Sequence, residues 1–325
     1  MGQRVGHILI RAAMTILMVM SLNFILFRVI PGDPTQLLLG GARSSVTEQQ
    51  IDSLRKEWGL ERPLIPDQIV AYVSATLRGD LGYSFKFRGS WVADLLLARL
   101  PATFALVGVA QLFAIVFGVM LGLYAGWRRG GVVDHLITGI SLTLYSTPAF
   151  WLGMLMVLVF STTLGWFPGY GAYSPTGGAG SAMSWLADRL WYLALPTATL
   201  ALGMSGQYVL VARAAMSDVV TEDYMVTARA KGLTGRQMLM HHAFRNAMLP
   251  VMTLITLNLG YVVAGAITIE AVFNWPGIGG LTVEALNARD YPVLQGIFLL
   301  LGASIVIANV VADLTYGLLD PRVRQ

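Results

Sequence analysis

Long apolar runs, nearly free of charge, alternate with short polar segments along this chain. A helix of about 20 apolar residues crosses the hydrocarbon core of a bilayer, so each such run is a candidate span. The pattern predicts six spans, at residues 8–30, 102–127, 136–166, 191–212, 248–269 and 293–318. It therefore indicates an all-α integral membrane protein, with a first transmembrane helix at 1–30 and a core of five more spans at 101–325.

One segment breaks this pattern. Residues 31–100 carry eight basic and eight acidic side chains, which is typical of soluble sequence. Within them, TEQQIDSLRKEWG predicts an amphipathic helix that Thr47 caps and Gly59 ends. We expect a small insert outside the membrane between the first and second spans.

Basic residues are unequally distributed between the two sides of the predicted spans. Only Arg189 and Arg289 flank the spans on one side. Eleven flank them on the other: Arg4, Arg11, Arg128, Arg129, Arg213, Arg229, Lys231, Arg236, Arg245, Arg322 and Arg324. Short loops rich in Lys and Arg stay in the cytoplasm. The distribution therefore predicts that both termini are cytoplasmic and that the 31–100 insert lies outside.

Composition narrows the classes of function. The chain is 55% hydrophobic and 12% charged, and its net charge of +4 is explained by basic cytoplasmic loops without nucleic-acid binding. It has no cysteine, which excludes disulfides, thiolate zinc sites and a cysteine nucleophile. His241 and His242 are adjacent and so diverge on a helix, whereas a metal pair needs a spacing of four. We expect no metal site.

The second predicted span has glycine at every fourth position, at Gly118, Gly122 and Gly126. Small residues at this spacing form one face of a helix and let a second helix approach closely. These three glycines are therefore predicted to be a helix-packing face. Pro101 would stand at the start of this helix, where proline is tolerated.

A basic, polar loop at 216–247 lies between the fourth and fifth predicted spans. Thr221 is predicted to cap a short helix, and Gly232 to end it in a left-handed turn. Thr234 and Gln237 have the spacing of a capping box, which predicts a second helix. Pro250 would bend that helix where it enters the membrane.

Three interpretations of this loop are open from its residues. It could be a structured cytoplasmic loop, a DNA-reading helix-turn-helix, or a docking element for a cytoplasmic partner. Spans at both ends make insertion into a DNA groove implausible. The remaining choice is between a passive loop and a docking element.

Residues 224–250, YMVTARAKGLTGRQMLMHHAFRNAMLP, resemble the cytoplasmic loop of bacterial ABC-importer permeases. The likeness is to the peptide/nickel branch, the B subunits of dipeptide and oligopeptide permeases. Ala228 and Gly232 match the general loop motif, whereas Val226 and Thr227 replace its Glu and first Ala, a departure that also occurs in this branch. The segments FRVIPGDP, RLPATFAL, AVFNWPGIGGL and ADLTYGLLDPRVR extend the resemblance over nearly the whole chain.

The resemblance implies the type I ABC-importer permease fold, in a bacterial inner membrane, with an extracytoplasmic insert after the first span. It implies a second homologous permease subunit, two ATPase subunits or one fused chain, and an extracytoplasmic binding protein. ATP and Mg would be bound by the ATPases, and the substrate would be a peptide, with nickel left open. The coupling residues it implies are Glu222, Tyr224, Ala228, Arg229, Lys231, Gly232 and Arg236.

Two acidic residues are candidates for the gate or the path. Glu270 ends the fifth predicted span on the outer side, where it would line the outer gate or face water. Asp313 lies about 11 Å from the cytoplasmic end of the sixth, which favours an interfacial or packing role over a proton relay. No phosphate-binding Gly-x-x-x-x-Gly-Lys-Ser/Thr motif occurs, so we expect no ATP binding by this chain. The alternative function is a secondary transporter that works without an ATPase.

Overall fold

The computed structural model describes residues 2–29, 67–87, 89–175, 181–259, 262 and 266–319, and it is all-α. The helix predicted at 47–59 lies outside these residues. The helices are α1 (Gly2–Phe24), α2 (Ile69–Leu77), α3 (Val92–Trp127), α4 (Val132–Ser146), α5 (Ala149–Thr163), α6 (Ala182–Val220), α7 (Asp223–Ala230), α8 (Phe244–Leu259), α9 (Ile267–Val272), α10 (Ile278–Ala288) and α11 (Tyr291–Leu319).

Helix α3 begins ten residues before the expected start of the second span. Pro101 lies inside this helix and not at its start, so the prediction for Pro101 was wrong. A π-helical turn at Phe104–Gly108 follows directly. Because proline has no N–H and clashes with the preceding turn, it commonly accompanies such local rearrangements of the helical hydrogen bonds.

The third predicted span is not one helix. Helices α4 and α5 meet at 103° across Thr147 and Pro148. Both residues have extended backbone conformations, with ψ of 129° and 130°. The ring of a proline disfavours the helical conformation of the residue before it, which explains why α4 ends here.

Three helices are long and apolar enough to cross a membrane within the part of the chain that the structure describes. These three are Val5–Phe27, Val92–Trp127 and Tyr291–Val311. The bent pair α4 and α5 would be a fourth if it forms one span. Helix α6, at 39 residues, is longer than the predicted fourth span but less apolar than these three. The count of six spans stays a prediction.

The chain divides into two units, Met1–Leu100 with Leu281–Gln325, and Pro101–Gly280. In the first unit α1 packs against α11, where a Cβ on Gly302 would lie 2.5 Å from a methyl group of Val19. The side-chain amide of Asn23 donates to the carbonyl of Gln295 at 2.8 Å. Hydrogen bonds of this kind hold helices together where water is excluded.

A buried carboxylate organises the loop before α11 in the same unit. Asp290 accepts hydrogen bonds from the hydroxyl of Ser84 at 2.5 Å and from the backbone N–H groups of Phe85 and Lys86 at 3.1 and 3.0 Å. It also accepts from the N–H of Val293, in the first turn of α11. One side chain therefore caps α11 and fixes residues 84–86, which lie within the predicted insert.

In the second unit the glycines of α3 lie directly against α6. A Cβ on Gly118, Gly122 or Gly126 would come within 2.8 Å of a backbone carbonyl oxygen of α6. The oxygens concerned belong to Ser205, Val209 and Arg213, which repeat every four residues like the glycines. Two helices therefore run side by side at backbone contact over two turns.

Candidate functional site

The loop at 216–247 folds as a short helix, a tight turn and a second helix. Helix α7 begins after Glu222, which has an extended backbone and makes no side-chain capping bond. Thr221 is the C-cap residue that directly follows α6, and its hydroxyl donates to the carbonyl of Asp218 at 2.7 Å. The prediction that Thr221 caps α7 was therefore wrong, because its hydroxyl is used to end α6.

The turn after α7 is a Schellman motif. Gly232 has a φ of +80°, which confirms the predicted left-handed turn. The N–H of Gly232 donates to the carbonyl of Arg229 at 3.0 Å, and the N–H of Leu233 donates to the carbonyl of Ala228 at 3.3 Å. These are the two bonds that satisfy the last carbonyls of a helix in this motif.

The second helical segment begins with the predicted capping box. The hydroxyl of Thr234 accepts from the N–H of Gln237 at 3.4 Å, and the Gln237 side chain accepts from the N–H of Thr234 at 2.9 Å. The chain then passes through a π-helical segment, Met238–Ala243, into α8. Both ends of the loop are therefore continuous with long helices, which suits a rigid element.

One face of the loop is buried in the core that joins α3, α6 and α8. Met225, Ala228 and Met238 are at most 6% exposed and pack in one cluster with Ala212 and Met216 of α6. The phenol of Tyr224 accepts a hydrogen bond from Asn246 at 3.0 Å, which links α7 to α8. A displacement of α7 would therefore be transmitted to both flanking helices.

The opposite face of the loop carries its charges. Glu222, Arg229, Lys231 and Arg236 are all exposed. Of the implied coupling residues, Ala228 lies in the buried face, Tyr224 bridges to α8, and Gly232 forms the turn. The result is a capped helix with an apolar inner face and a charged outer face, which is the arrangement expected of a docking element.

An ion pair that sequence reasoning missed lies beside this loop. Asp134 is close to Arg128 and Arg129 in the sequence, but its partner is Arg213 of α6. Arg213 Nε and Nη2 lie 2.5 and 2.8 Å from the two oxygens of Asp134. The N–H of Gly130 and the hydroxyl of Thr138 also donate to this carboxylate, at 2.9 and 3.3 Å.

This ion pair fixes the turn between α3 and α4 to the helix that leads into the loop. Asp134 is wholly buried, and Arg129 adds a hydrogen bond to the carbonyl of Ser217 at 3.2 Å. The signal in the sequence was Arg213 itself, a basic residue near the end of a predicted span. No spacing rule links it to Asp134, since the two are 79 residues apart.

Glu270 is wholly buried, so the alternative in which it faces water was wrong. Its carboxylate accepts from the hydroxyl of Thr103 at 2.9 Å and from the N–H of Gly280 at 3.1 Å. The same hydroxyl accepts from the N–H of Ile278 at 2.8 Å, and the indole of Trp275 donates to the carbonyl of Ala102 at 2.8 Å. Glu270 thus holds the segment 275–280 against α3.

Asp313 lies opposite Arg11 of α1, with 3.9 Å between Nη1 and Oδ2. Both side chains are substantially exposed, so the free energy gained is at most about 1 kcal/mol. The interfacial or packing role of Asp313 stays a prediction.

Comparison with known proteins identifies the family. Residues 118–325 match the family described as "Binding-protein-dependent transport system inner membrane component". Residues 5–107 match the family that describes the N-terminal part of such proteins. The chain belongs to this family. It is therefore a multi-pass inner-membrane protein and a permease subunit of an ABC importer, as the loop indicated, and not a secondary transporter that works alone.

Curated relatives cover nearly the whole chain. It is 38% identical to the di/tripeptide transport system permease protein DppB of Pseudomonas aeruginosa, over 94% of this chain and 93% of that protein. It is 36% identical to the glutathione transport system permease protein GsiC of Escherichia coli K12, over 95% of each chain.

A solved structure shares the fold. This chain superposes on a chain of the methionine ABC transporter MetNI, in an inward-facing conformation, with a TM-score of 0.53 and 17% identity. The match covers 68% of this chain and 94% of that one. At this identity the match supports the type I importer permease fold and nothing more specific.

Proposed function

We propose that this permease moves peptides across the inner membrane and is driven by partner ATPases that dock on the 216–247 loop. The observation that carries the proposal is the loop itself. It is capped at both helices, packed into the core on one face and charged on the other. The names of the two relatives, a di/tripeptide and a glutathione permease, support a peptide substrate.

The proposed assembly contains a second homologous permease, two ATPase subunits or one fused chain, and an extracytoplasmic binding protein. ATP and Mg would be bound by the ATPases. Closure of the ATPases would move α7, and the shared core would carry that movement to α3, α6 and α8. A rigid, packed element transmits such movements because packed cores shift as bodies. Arg229, Lys231 and Arg236 would meet acidic or carbonyl groups of the ATPase.

Uptake by the reconstituted complex tests this proposal. The complex would be placed in vesicles with its binding protein, and entry of a radiolabelled tripeptide would be followed with and without ATP. We expect ATP-dependent uptake, and an Arg236→Glu variant that either loses the ATPase on purification or hydrolyses ATP without uptake. Arg128→Glu reverses a charge outside the loop and serves as the control. Uptake without any ATPase subunit would contradict the proposal.

The orientation of the chain belongs to the same proposal. Both termini and the 216–247 loop would be cytoplasmic, and the 31–100 insert extracytoplasmic. Since the chain has no cysteine, single cysteines can be introduced without a background. A membrane-impermeant thiol reagent should label Ala288→Cys in intact cells, and should label Gly130→Cys and Thr234→Cys only after the membrane is opened. Labelling of Thr234→Cys in intact cells would reverse the orientation.

A further inference from the structure

Four neutral polar side chains meet where α3, α6 and α8 pack together. The phenol oxygen of Tyr208 accepts hydrogen bonds from the side-chain amides of Gln111 and Asn258, the latter at 3.0 Å. Asn258 also donates to the side-chain oxygen of Gln207 at 3.3 Å. We call Gln111, Gln207, Tyr208 and Asn258 the amide cluster.

The amide cluster lies at membrane depth. Gln111 is 16 residues before the end of α3 at Trp127, which is about 24 Å along the helix. Arg128 and Arg129 follow Trp127 and mark the edge of the apolar region. Because the hydrocarbon core is about 30 Å thick, Gln111 and its partners lie within it.

The amide cluster has hydrogen-bonding capacity that the described part of the chain leaves unused. Gln111 is 2% exposed, and its side-chain oxygen has no hydrogen-bond partner among the residues that the structure describes. Tyr208 is wholly buried, whereas the other two side chains, Gln207 and Asn258, are each half-buried. The cluster therefore reaches from a sealed interior to the surface of the chain.

The half-buried amides need a polar neighbour in the assembled transporter. An amide that faces acyl chains loses its hydrogen bonds to water at a cost of several kcal/mol. Helix α6, which carries Gln207, is also less apolar than the three clear spans although it packs along one of them. A helix of this composition suits a position beside a polar passage better than one surrounded by lipid.

We propose that the amide cluster is a binding site in the translocation path, where Gln207 and Asn258 form hydrogen bonds with the backbone amides of a peptide in transit. This inference rests on the proposed function and assigns the place where the peptide touches this subunit. Gln111 and Tyr208 are positioning residues, since Tyr208 accepts a hydrogen bond from the Asn258 amide and Gln111 donates to the same phenol oxygen.

The chemistry of the amide cluster fits a peptide backbone. A carboxamide donates and accepts through groups like those of the peptide bond, so it can pair with either. Neither amide carries charge, so binding would not depend on the side chains of the peptide. Neutral hydrogen bonds are also weak, at about 1 kcal/mol net each, which lets a transported molecule leave.

Disulfide capture tests the site. The probe is a radiolabelled tripeptide with a C-terminal cysteine activated as a mixed disulfide, supplied to the reconstituted complex with its binding protein and ATP. Gln207→Cys should be labelled, and excess unmodified tripeptide should suppress the labelling. Leu202→Cys is the matched control, because Leu202 is 38% exposed on the same helix but points about 140° away. A thiol in lipid does not ionise and so should not react.

The outcomes separate the two proposals. Uptake by the unmodified complex tests the proposed function by itself, and absence of uptake would remove both. If uptake occurs but Gln207→Cys stays unlabelled, the path does not pass the amide cluster. If a small water-soluble thiosulfonate labels Gln207→Cys but the peptide probe does not, water reaches this position and the peptide does not contact it. That result would also overturn the inference. Equal labelling of Leu202→Cys would also overturn the inference.

Kinetics provide a second measurement. Asn258→Leu removes one amide and should lower kcat/KM for tripeptide uptake by about 3- to 10-fold, the equivalent of one hydrogen bond. Leu257→Ala, at a neighbouring exposed position of α8, should leave uptake unchanged. If Asn258→Leu lowers only the melting temperature of the complex and not kcat/KM, the cluster only joins helices.

Discussion

Arg213 forms a bidentate pair with Asp134 in which the two partners differ in their access to solvent. The Asp134 side chain is 1% exposed, whereas the Arg213 side chain is 34% exposed. A charge that loses its partner inside a protein is costly in proportion to its burial. The two halves of this pair should therefore respond differently to mutation.

We predict that Arg213→Met destabilises the protein more than Asp134→Asn does. Without Arg213, the buried carboxylate keeps the hydrogen bonds from Gly130 and Thr138 but no neighbouring positive charge among the described residues, and the loss of stability should be about 3–5 kcal/mol. Without the carboxylate charge, Arg213 can reach solvent, and the loss should be about 1–2 kcal/mol. Denaturant unfolding in detergent micelles measures both.

A double variant provides the control for this prediction. Asp134→Asn combined with Arg213→Met removes both charges and should cost less than Arg213→Met alone. Equal losses in the two single variants would show that the difference in burial does not matter, and a double variant with the sum of both losses would show that the two side chains are not coupled.

Local rules predicted the loop at 216–247 well, and non-local contacts could not be predicted. The φ of Gly232 and the capping box of Thr234 depend on residues within three or four positions, so the sequence contains all the information. The partner of Asp134 is on another helix, and the burial of Glu270 depends on Thr103, 167 residues away. Thr221 was mispredicted because its hydroxyl could end one helix or begin the next.

Gly122 tests the close approach of α3 and α6. A Cβ there would lie 2.5 Å from the carbonyl oxygen of Val209 and 2.8 Å from the Cβ of Ala212. Neither backbone can move away without separating the two helices. Gly122→Ala should therefore lower the free energy of unfolding of the protein by about 1–3 kcal/mol. The free energy of unfolding in micelles is the measurement.

Gly108→Ala is the matched control on the same helix. Gly108 has a helical φ of −64° and nothing within 4 Å of a Cβ. Alanine is about 1 kcal/mol better than glycine inside a helix, so this variant should be neutral or more stable. A Gly122→Ala variant as stable as Gly108→Ala would show that the glycine face can separate without cost.

Glu270→Gln should lower the local stability of the segment 275–280 by about 1–3 kcal/mol. A carboxylate accepts at both oxygens, but a carboxamide would present an N–H group to either Thr103 or the N–H of Gly280. Glu284→Gln is the control, since the ion pairs that Glu284 forms with Lys86 and Arg99, at 3.3 and 3.4 Å, are partly exposed. This variant should cost less than about 1 kcal/mol of stability. Hydrogen exchange of residues 275–280 measures the effect, and unchanged protection in Glu270→Gln would contradict it.

Gly232 separates backbone strain from steric clash in the loop. Its φ of +80° is unfavourable for a residue with a Cβ, yet a Cβ there would meet nothing within 4 Å. Gly232→Val should therefore cost about 1–2 kcal/mol through the backbone alone. That strain falls on the two Schellman bonds, so the end of α7 should fray and ATP-dependent peptide uptake should fall while the chain still inserts.

Gly232→Asn has a similar side-chain volume but tolerates a left-handed φ, so it should keep most of the uptake. If the two variants transport equally poorly, the side chain would be blocking the ATPase and the turn would not be the cause. If both transport normally, the conformation of this turn is not needed for coupling.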